Sequence, residues 1–176
     1  MIHTTFRKLH EAGACTERYR FLAKALGGIK TYGKDTPITL LQILDINGLD
    51  DALWALRACD DAETFSRLLA CDYAEHVLPI FETQYPDDDR PRKAIAVSRR
   101  HAHGEATDAE LSAAWAAWDA ARYAAGAAGW AAWHAAWAAG AAAWYAAEAA
   151  ARDAAWHAEC TWQEARLREL LERGQE

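Results

Sequence analysis

Apolar residues return every three to four positions through the first hundred residues, and short polar or Gly/Pro clusters interrupt them at close intervals. That period predicts a succession of short amphipathic helices. Thr4 or Thr5 is placed to cap a first helix ending near Gly13, and Thr16 a second running to Leu26 before Gly27 and Gly28. The stretch GGIKTYGKDTP then reads as a loop. Thr36 followed by Pro37 predicts the next helix start, since Pro in a first turn lacks only a donor that would have no intrahelical partner; Asn47 with Gly48 closes it. Asp50 or Asp51 opens a further helix. A longer one is expected from Asp61 to Thr83, with Phe65, Leu68, Leu69, Ala74 and Leu78 near one face. Tyr85, Pro86 and the acidic run Asp87, Asp88 and Asp89 form a turn, after which Pro91 starts a helix ending at Gly104. Carboxylates before that helix and Arg and His at its far end suit the two poles of its dipole. Thr107 to Glu110, T-D-A-E, is a capping box.

The pattern then changes. Residues 113–156 are four copies of an eleven-residue unit, AAWAAWDAARY, AAGAAGWAAWH, AAWAAGAAAWY and AAEAAARDAAW. Eleven residues make three helical turns, so a hendecad repeat predicts one helix, straight or with slight right-handed supercoil. At about 100° per residue the third, sixth and tenth places share one side, which carries Trp115, Trp118, Trp133, Trp137 and Trp144 with Gly126, Gly129 and Gly140 between them. The opposite side is Ala. From Asp108 to Leu171 no Pro intervenes, which predicts a rod of roughly 95 Å at 1.5 Å per residue. The three Gly residues are its expected kink points. The fold expected is therefore all-α: a small helical N-terminal domain, residues 1–104, followed by a long Ala/Trp-rich hendecad helix, residues 105–176. A rod this thin cannot bury its own side, so oligomerisation is expected.

Charge sharpens the division. Of the net −7, the half from Glu105 onward carries −6, from 11 acidic and 5 basic residues. Duplex nucleic acid is therefore not an expected partner of the repeat. Cys15, Cys59, Cys71 and Cys160 form no CxxC pair and fit reduced thiols that fill a core in a cytoplasmic protein. The N-terminal residues contain no apolar run of secretory-signal length, so export is not expected. Residues 123–147 are long enough to cross a bilayer. They hold no Leu, Ile, Val or Phe, however, and include His134, so no membrane span is expected.

Residues 70–111 carry a resemblance. The string Asp89 to Ile95, DRPRKAI, the preceding AEHVLPIFE and the GEAT turn, followed by an Ala/aromatic helix, resemble the immunity protein family associated with bacterial polymorphic toxin systems; the segment is also similar to Ala-rich phage proteins. The likeness spans roughly the last two-thirds of the chain. It implies a non-enzymatic, intracellular, all-helical protein that neutralises a target, a toxin or a defence component, by binding it. The Trp richness departs from a plain Ala/Tyr pattern, which leaves the identity of the target open.

Two groups of residues carry candidate chemistry. Trp130, Trp133, Trp137 and Trp144 beside the Gly gaps, with His134, form slots in which a base or an aromatic side chain could stack, at roughly 1–3 kcal/mol per base. Packing against a neighbouring helix is the simpler role for the same rings. Arg92, Lys93 and Arg99 belong to a basic cluster that also includes Arg90, Arg100, His101 and His103, enough to hold a phosphate or an acidic surface. The simpler role here is a solvated helix answering its acidic neighbours. Together the groups would suit a nucleotide, which makes sequestration of a nucleotide signal the alternative to protein inhibition; a structural coiled-coil oligomerisation module is the third reading. His101 and His103 point about 200° apart on a helix, so no metal site is expected there. No GxSxG, P-loop, GxGxxG or HExxH string occurs, and neither enzymatic activity nor a cofactor is expected.

Overall fold

Thr side chains cap some of the helices, and Gly residues with positive φ stop several of them. The computed structural model describes residues 2–114, 116–117 and 141–173, without the side chains of 84 and 141–155. In chain order come β1 (His3–Thr4), α1 (Phe6–Glu11), α2 (Thr16–Ala25), α3 (Ile29–Tyr32), β2 (Ile38–Thr39), α4 (Leu40–Asn47), α5 (Leu49–Ala55), a 3-10 turn (Leu56–Ala58), α6 (Glu63–Gln84), α7 (Arg90–Ala102) and α8 (Ala141–Arg173). Residues 108–114 are also helical. Apart from one two-residue strand pair the described chain is all-α.

Side-chain caps account for the starts of α1, α4 and the 108–114 helix. Thr5 accepts from the Lys8 amide at 3.2 Å and opens α1. Thr39 and Gln42 cap each other reciprocally at the start of α4. Here the structure moves an expected boundary, because Thr36 is not free to cap: its hydroxyl donates to the Tyr32 carbonyl at 2.6 Å. Ile38 and Thr39 instead pair antiparallel with Thr4 and His3. The expected loop also contains α3, and Cys15 rather than Thr16 occupies the N-cap of α2. Gly48, at φ 86°, ends α4 and begins α5, a corner open to Gly at no steric cost. Thr107 and Glu110 do form the predicted capping box, at 2.8 and 3.2 Å.

The chain divides into two compact units, Met1–Glu63 with Ala158–Glu176, and Thr64–His157. This division by contacts runs across the compositional boundary at 104/105. In the first unit α4 buries Leu40, Ile43, Leu44 and Asn47, the i, i+3, i+4, i+7 stripe of an amphipathic helix. Phe6 sits fully buried, met edge-on by Tyr19 at 5.5 Å and Tyr32 at 5.9 Å. Thr4 is equally buried, and its hydroxyl is satisfied by the Ala58 carbonyl at 2.5 Å. The end of α8 completes this unit: Leu167 and Leu171 are buried, and Arg168 reaches Asp45 at 2.5 Å, 123 positions away in sequence.

In the second unit α7 buries Pro91, Ala94 and Ser98. These are small residues, and they allow close approach to α6, where the buried Cys71 sulfur lies 3.9 Å from the Ile95 carbonyl oxygen. The expected face of α6 is realised in part. Leu69 and Leu78 are buried, Phe65 and Leu68 are half-buried, and Ala74 is exposed. The cysteines likewise divide: Cys71 fills a core, Cys59 and Cys160 are half-buried, and Cys15 is exposed at the start of α2, so it does not serve as the core filler expected of it.

Candidate interaction surface

Helix α7 starts where Asp88 accepts from the Arg90 amide at 3.2 Å and Pro91 occupies the first turn. Asp89 stands at the N-cap without a side-chain cap bond and pairs instead with Lys93, one turn on, at 2.8 Å. Every Arg and Lys of this helix has an acidic partner. Arg90 pairs with Asp88 at 2.6 Å. Arg92 makes a two-pronged fork with Glu82 of α6, both contacts at 2.8 Å. Arg99 bridges Asp72 at 2.7 Å and Glu75 at 2.6 Å, also on α6. Arg100 reaches the Glu105 carbonyl at 2.9 Å and Glu110 at 3.4 Å, and His101 Nε2 contacts Asp108 at 2.7 Å.

The pairing shows in the acidities. Hydrogen bonding to Arg92 holds the Glu82 carboxyl below the ordinary Glu value, and hydrogen bonding to Arg90 does the same for Asp88. Thr107, through its amide and hydroxyl, depresses Glu110. For Arg99 partial burial works against the charge, but hydrogen bonds from Glu75 and Asp72 outweigh it and the net shift is upward. Burial pushes the Cys59 thiol up to about 11 and raises that of Cys71, so neither is a ready thiolate at neutral pH.

The candidate site residues separate accordingly. Arg92 and Arg99, seven positions apart, are both drawn toward α6 by their pairs, while Lys93 stays outward with its side chain 71% exposed. Trp130, Trp133, His134 and Trp137 lie outside the described residues. Trp144 belongs to α8, but its side chain is likewise outside the description.

Sequence reasoning missed three residues. Ile80 is 74% exposed, Trp156 68% and Val77 38%, all large apolar side chains on the surface of the second unit. Val77 and Ile80 fall within the AEHVLPIFE string, three positions apart, and so share a side of α6. Ile80 follows the buried Leu78 by two, about 200° round the helix. That offset was visible in the sequence, but an apolar run in a helix with one covered face does not say which members face outward. Among the described residues no group of three His, Cys, Asp or Glu side chains could hold a metal ion, and no helix is long and apolar enough to cross a membrane.

A model of the family described as Imm-5 like putative immunity protein matches residues 66–170. The span takes in most of α6, all of α7 and α8 as far as its last turn. Neither a curated protein nor a solved structure matches the chain. With more than half of its 176 residues matched, the chain belongs to the Imm-5 like immunity protein family.

Proposed function

We propose that this protein is a binding inhibitor of immunity or anti-defence type, which neutralises a protein target by occlusion and without turnover. Family membership over residues 66–170 carries the reading. A net charge of −7 favours a target with a basic surface, through faster encounter and selection of partner. Val77, Ile80 and Trp156 supply apolar and aromatic side chains of the kind found at interface centres. From the repeat, Trp130, Trp133, Trp137, Trp144 and His134 are assigned to target contact on their sequence pattern. Arg92, Lys93 and Arg99 add charged contacts, held by surface pairs weak enough to exchange for a partner's carboxylates. The Ala side of the repeat serves a homo-oligomer, and the protein acts in the cytoplasm.

Co-expression with the product of an adjacent toxin gene tests this. Growth should be restored and the two proteins should co-purify; Trp133→Ala with Trp137→Ala, and separately Ile80→Lys, should abolish both effects. A toxin that still kills and never co-purifies, across all neighbouring gene products, overturns the proposal.

The alternation of Trp with Gly favours a second reading, capture of a nucleotide between the rings. Eight of the nine Trp residues lie between Trp115 and Trp162, so strong fluorescence quenching by a nucleotide at micromolar concentration would support it, and silence across a nucleotide panel would remove it. If the mutations change only the mass in solution, the protein is a structural oligomerisation module.

A further inference from the structure

The first unit contains a cleft of about 230 Å³ whose lining comes entirely from residues 9–55, outside the family-matched span. Leu9, Leu22, Ile43 and Ala55 supply apolar surface, and Tyr19 and Trp54 add two aromatic rings. A cavity of roughly 150 Å³ lined by apolar side chains accepts benzene, so this volume suits a ring system with a short substituent. The Tyr19 hydroxyl is already spent on the Phe6 carbonyl at 3.2 Å, which leaves its ring as the feature open to a ligand.

The polar groups of the cleft are unbalanced in one direction. Arg18 donates from Nε to Asp51 Oδ2 at 2.7 Å and from Nη2 to the Asn47 carbonyl. Asn47 Nδ2 donates to Arg18 O at 3.1 Å and to the same Asp51 Oδ2 at 2.6 Å. Those contacts fix the amide's orientation, because the flipped form would face oxygen with oxygen. The Asn47 side-chain oxygen is left buried without a partner, in a residue only 8% exposed. A buried orphan acceptor costs roughly a lost hydrogen bond, and its partial negative charge adds to that of the carboxylates beside it. Asp50, exposed and also lining the cleft, has no hydrogen bond or ion pair among the described residues. Arg18 is thus paired with Asp51, and Asp50 stands as a second carboxylate without a counter-charge. The N-terminus of α5 offsets part of the charge of Asp50 and Asp51 but does nothing for the Asn47 oxygen.

We propose that this cleft binds an arylalkylammonium: a flat apolar body between Tyr19 and Trp54, with its protonated amine toward Asp50 and Asp51. An anionic ligand would be repelled by the unpaired Asp50, and a purely apolar one would leave that carboxylate without a counter-charge. The site is independent of the immunity reading, and neither stands or falls with the other.

Tryptamine is a suitable probe, and Cys15 gives a local readout because its exposed thiol lies on the cleft lining. Tryptamine should slow alkylation of Cys15 saturably, as followed by peptide mass spectrometry, and should give a one-site calorimetric isotherm. The neutral isostere indole-3-ethanol should bind about tenfold more weakly, since a charged hydrogen bond is lost. Asp50→Asn should weaken tryptamine about fivefold with only a small drop in melting temperature, as expected for the loss of one exposed charge at a helix N-terminus. Ala14→Trp, which fills the half-exposed mouth, should remove binding. No protection of Cys15 by tryptamine, equal affinity for the neutral isostere, or binding that survives Ala14→Trp would each overturn the proposal.

Discussion

The first unit and the α6–α7 pair of the second face the same task, holding short helices together, and meet it with different chemistry. In the first unit Phe6, Ile38, Leu40 and Leu167 are fully buried, and ion pairs such as Arg7–Asp35 decorate the outside. In the second unit the covered positions of α7 are Pro91, Ala94 and Ser98, and charged side chains tie that helix to α6: Arg92 with Glu82, and Arg99 with Asp72 and Glu75. Burial of large apolar side chains contributes roughly 1.5–3 kcal/mol each, whereas an exposed ion pair contributes well under 1 kcal/mol. The ion pairs therefore set register more than they supply stability. Apolar residues that the α6–α7 contact does not cover, Val77 and Ile80, remain outside. The region matched to the immunity family thus carries three of the exposed large apolar side chains, Val77, Ile80 and Trp156, whereas the first unit exposes Phe21.

Leu167→Ala tests the contrast most severely. It should destabilise the protein by about 2–5 kcal/mol in urea unfolding, because a fully buried side chain leaves a cavity. A loss below about 1 kcal/mol, no more than a surface change costs, would mean that the end of α8 does not complete the first unit's core. Thr39→Ala should cost about 1 kcal/mol by removing one half of the α4 capping box, while Thr36→Ala should disturb α4 little. Arg99→Ala should cost up to about 1 kcal/mol and speed amide exchange in α7 before it affects α4.

Acid should act on both units. Glu82, Asp88 and Asp35 are each held below their ordinary values of 4.5 for Glu and 3.8 for Asp, first of all by hydrogen bonds from Arg92, Arg90 and Arg7. A carboxyl whose acidity is strengthened by folding stabilises fully above its unfolded value and loses that contribution as pH falls through its folded one. The melting temperature should accordingly be insensitive to these groups between about pH 6 and 8 and decline below about 4.5. Amide exchange that stays unchanged in α7 from pH 6 to pH 3, after correction for its intrinsic rate, would show that the pairs contribute nothing. Ile80→Ser should change stability least, within about 0.5 kcal/mol, yet weaken target binding. Unimpaired binding would separate that exposed face from the interface.

Local features were readable from the chain before any coordinates. The Thr107–Glu110 box, the Pro91 start, the turn through Asp87–Asp89 and the Gly48 corner each depend on residues within four positions of one another, where backbone geometry and hydrogen bonding leave few choices. Thr36 and Thr39 mark the limit of such reading. Thr36 before Pro37 is the start the local sequence predicts, yet Thr39 is the cap, and the outcome turned on where the Thr36 hydroxyl donates and on a strand partner at His3–Thr4 that lies far back in the chain. The site follows the same rule. The basic cluster of α7 was evident as composition, but its neutralisation by Glu82, Asp72 and Glu75 required the facing helix.

Periodicity and capping thus determined, from sequence alone, that the chain is helical and where most of its helices begin and end. The tertiary structure alone decided that Arg168 meets Asp45, that Leu167 closes a core built by the first 63 residues, and that Ile80 stays exposed while Leu78 is covered. Helix-forming interactions span three or four residues and are written into the local order of side chains. Burial and charge pairing depend on which surfaces meet across a hundred residues or more, and no local pattern encodes that choice.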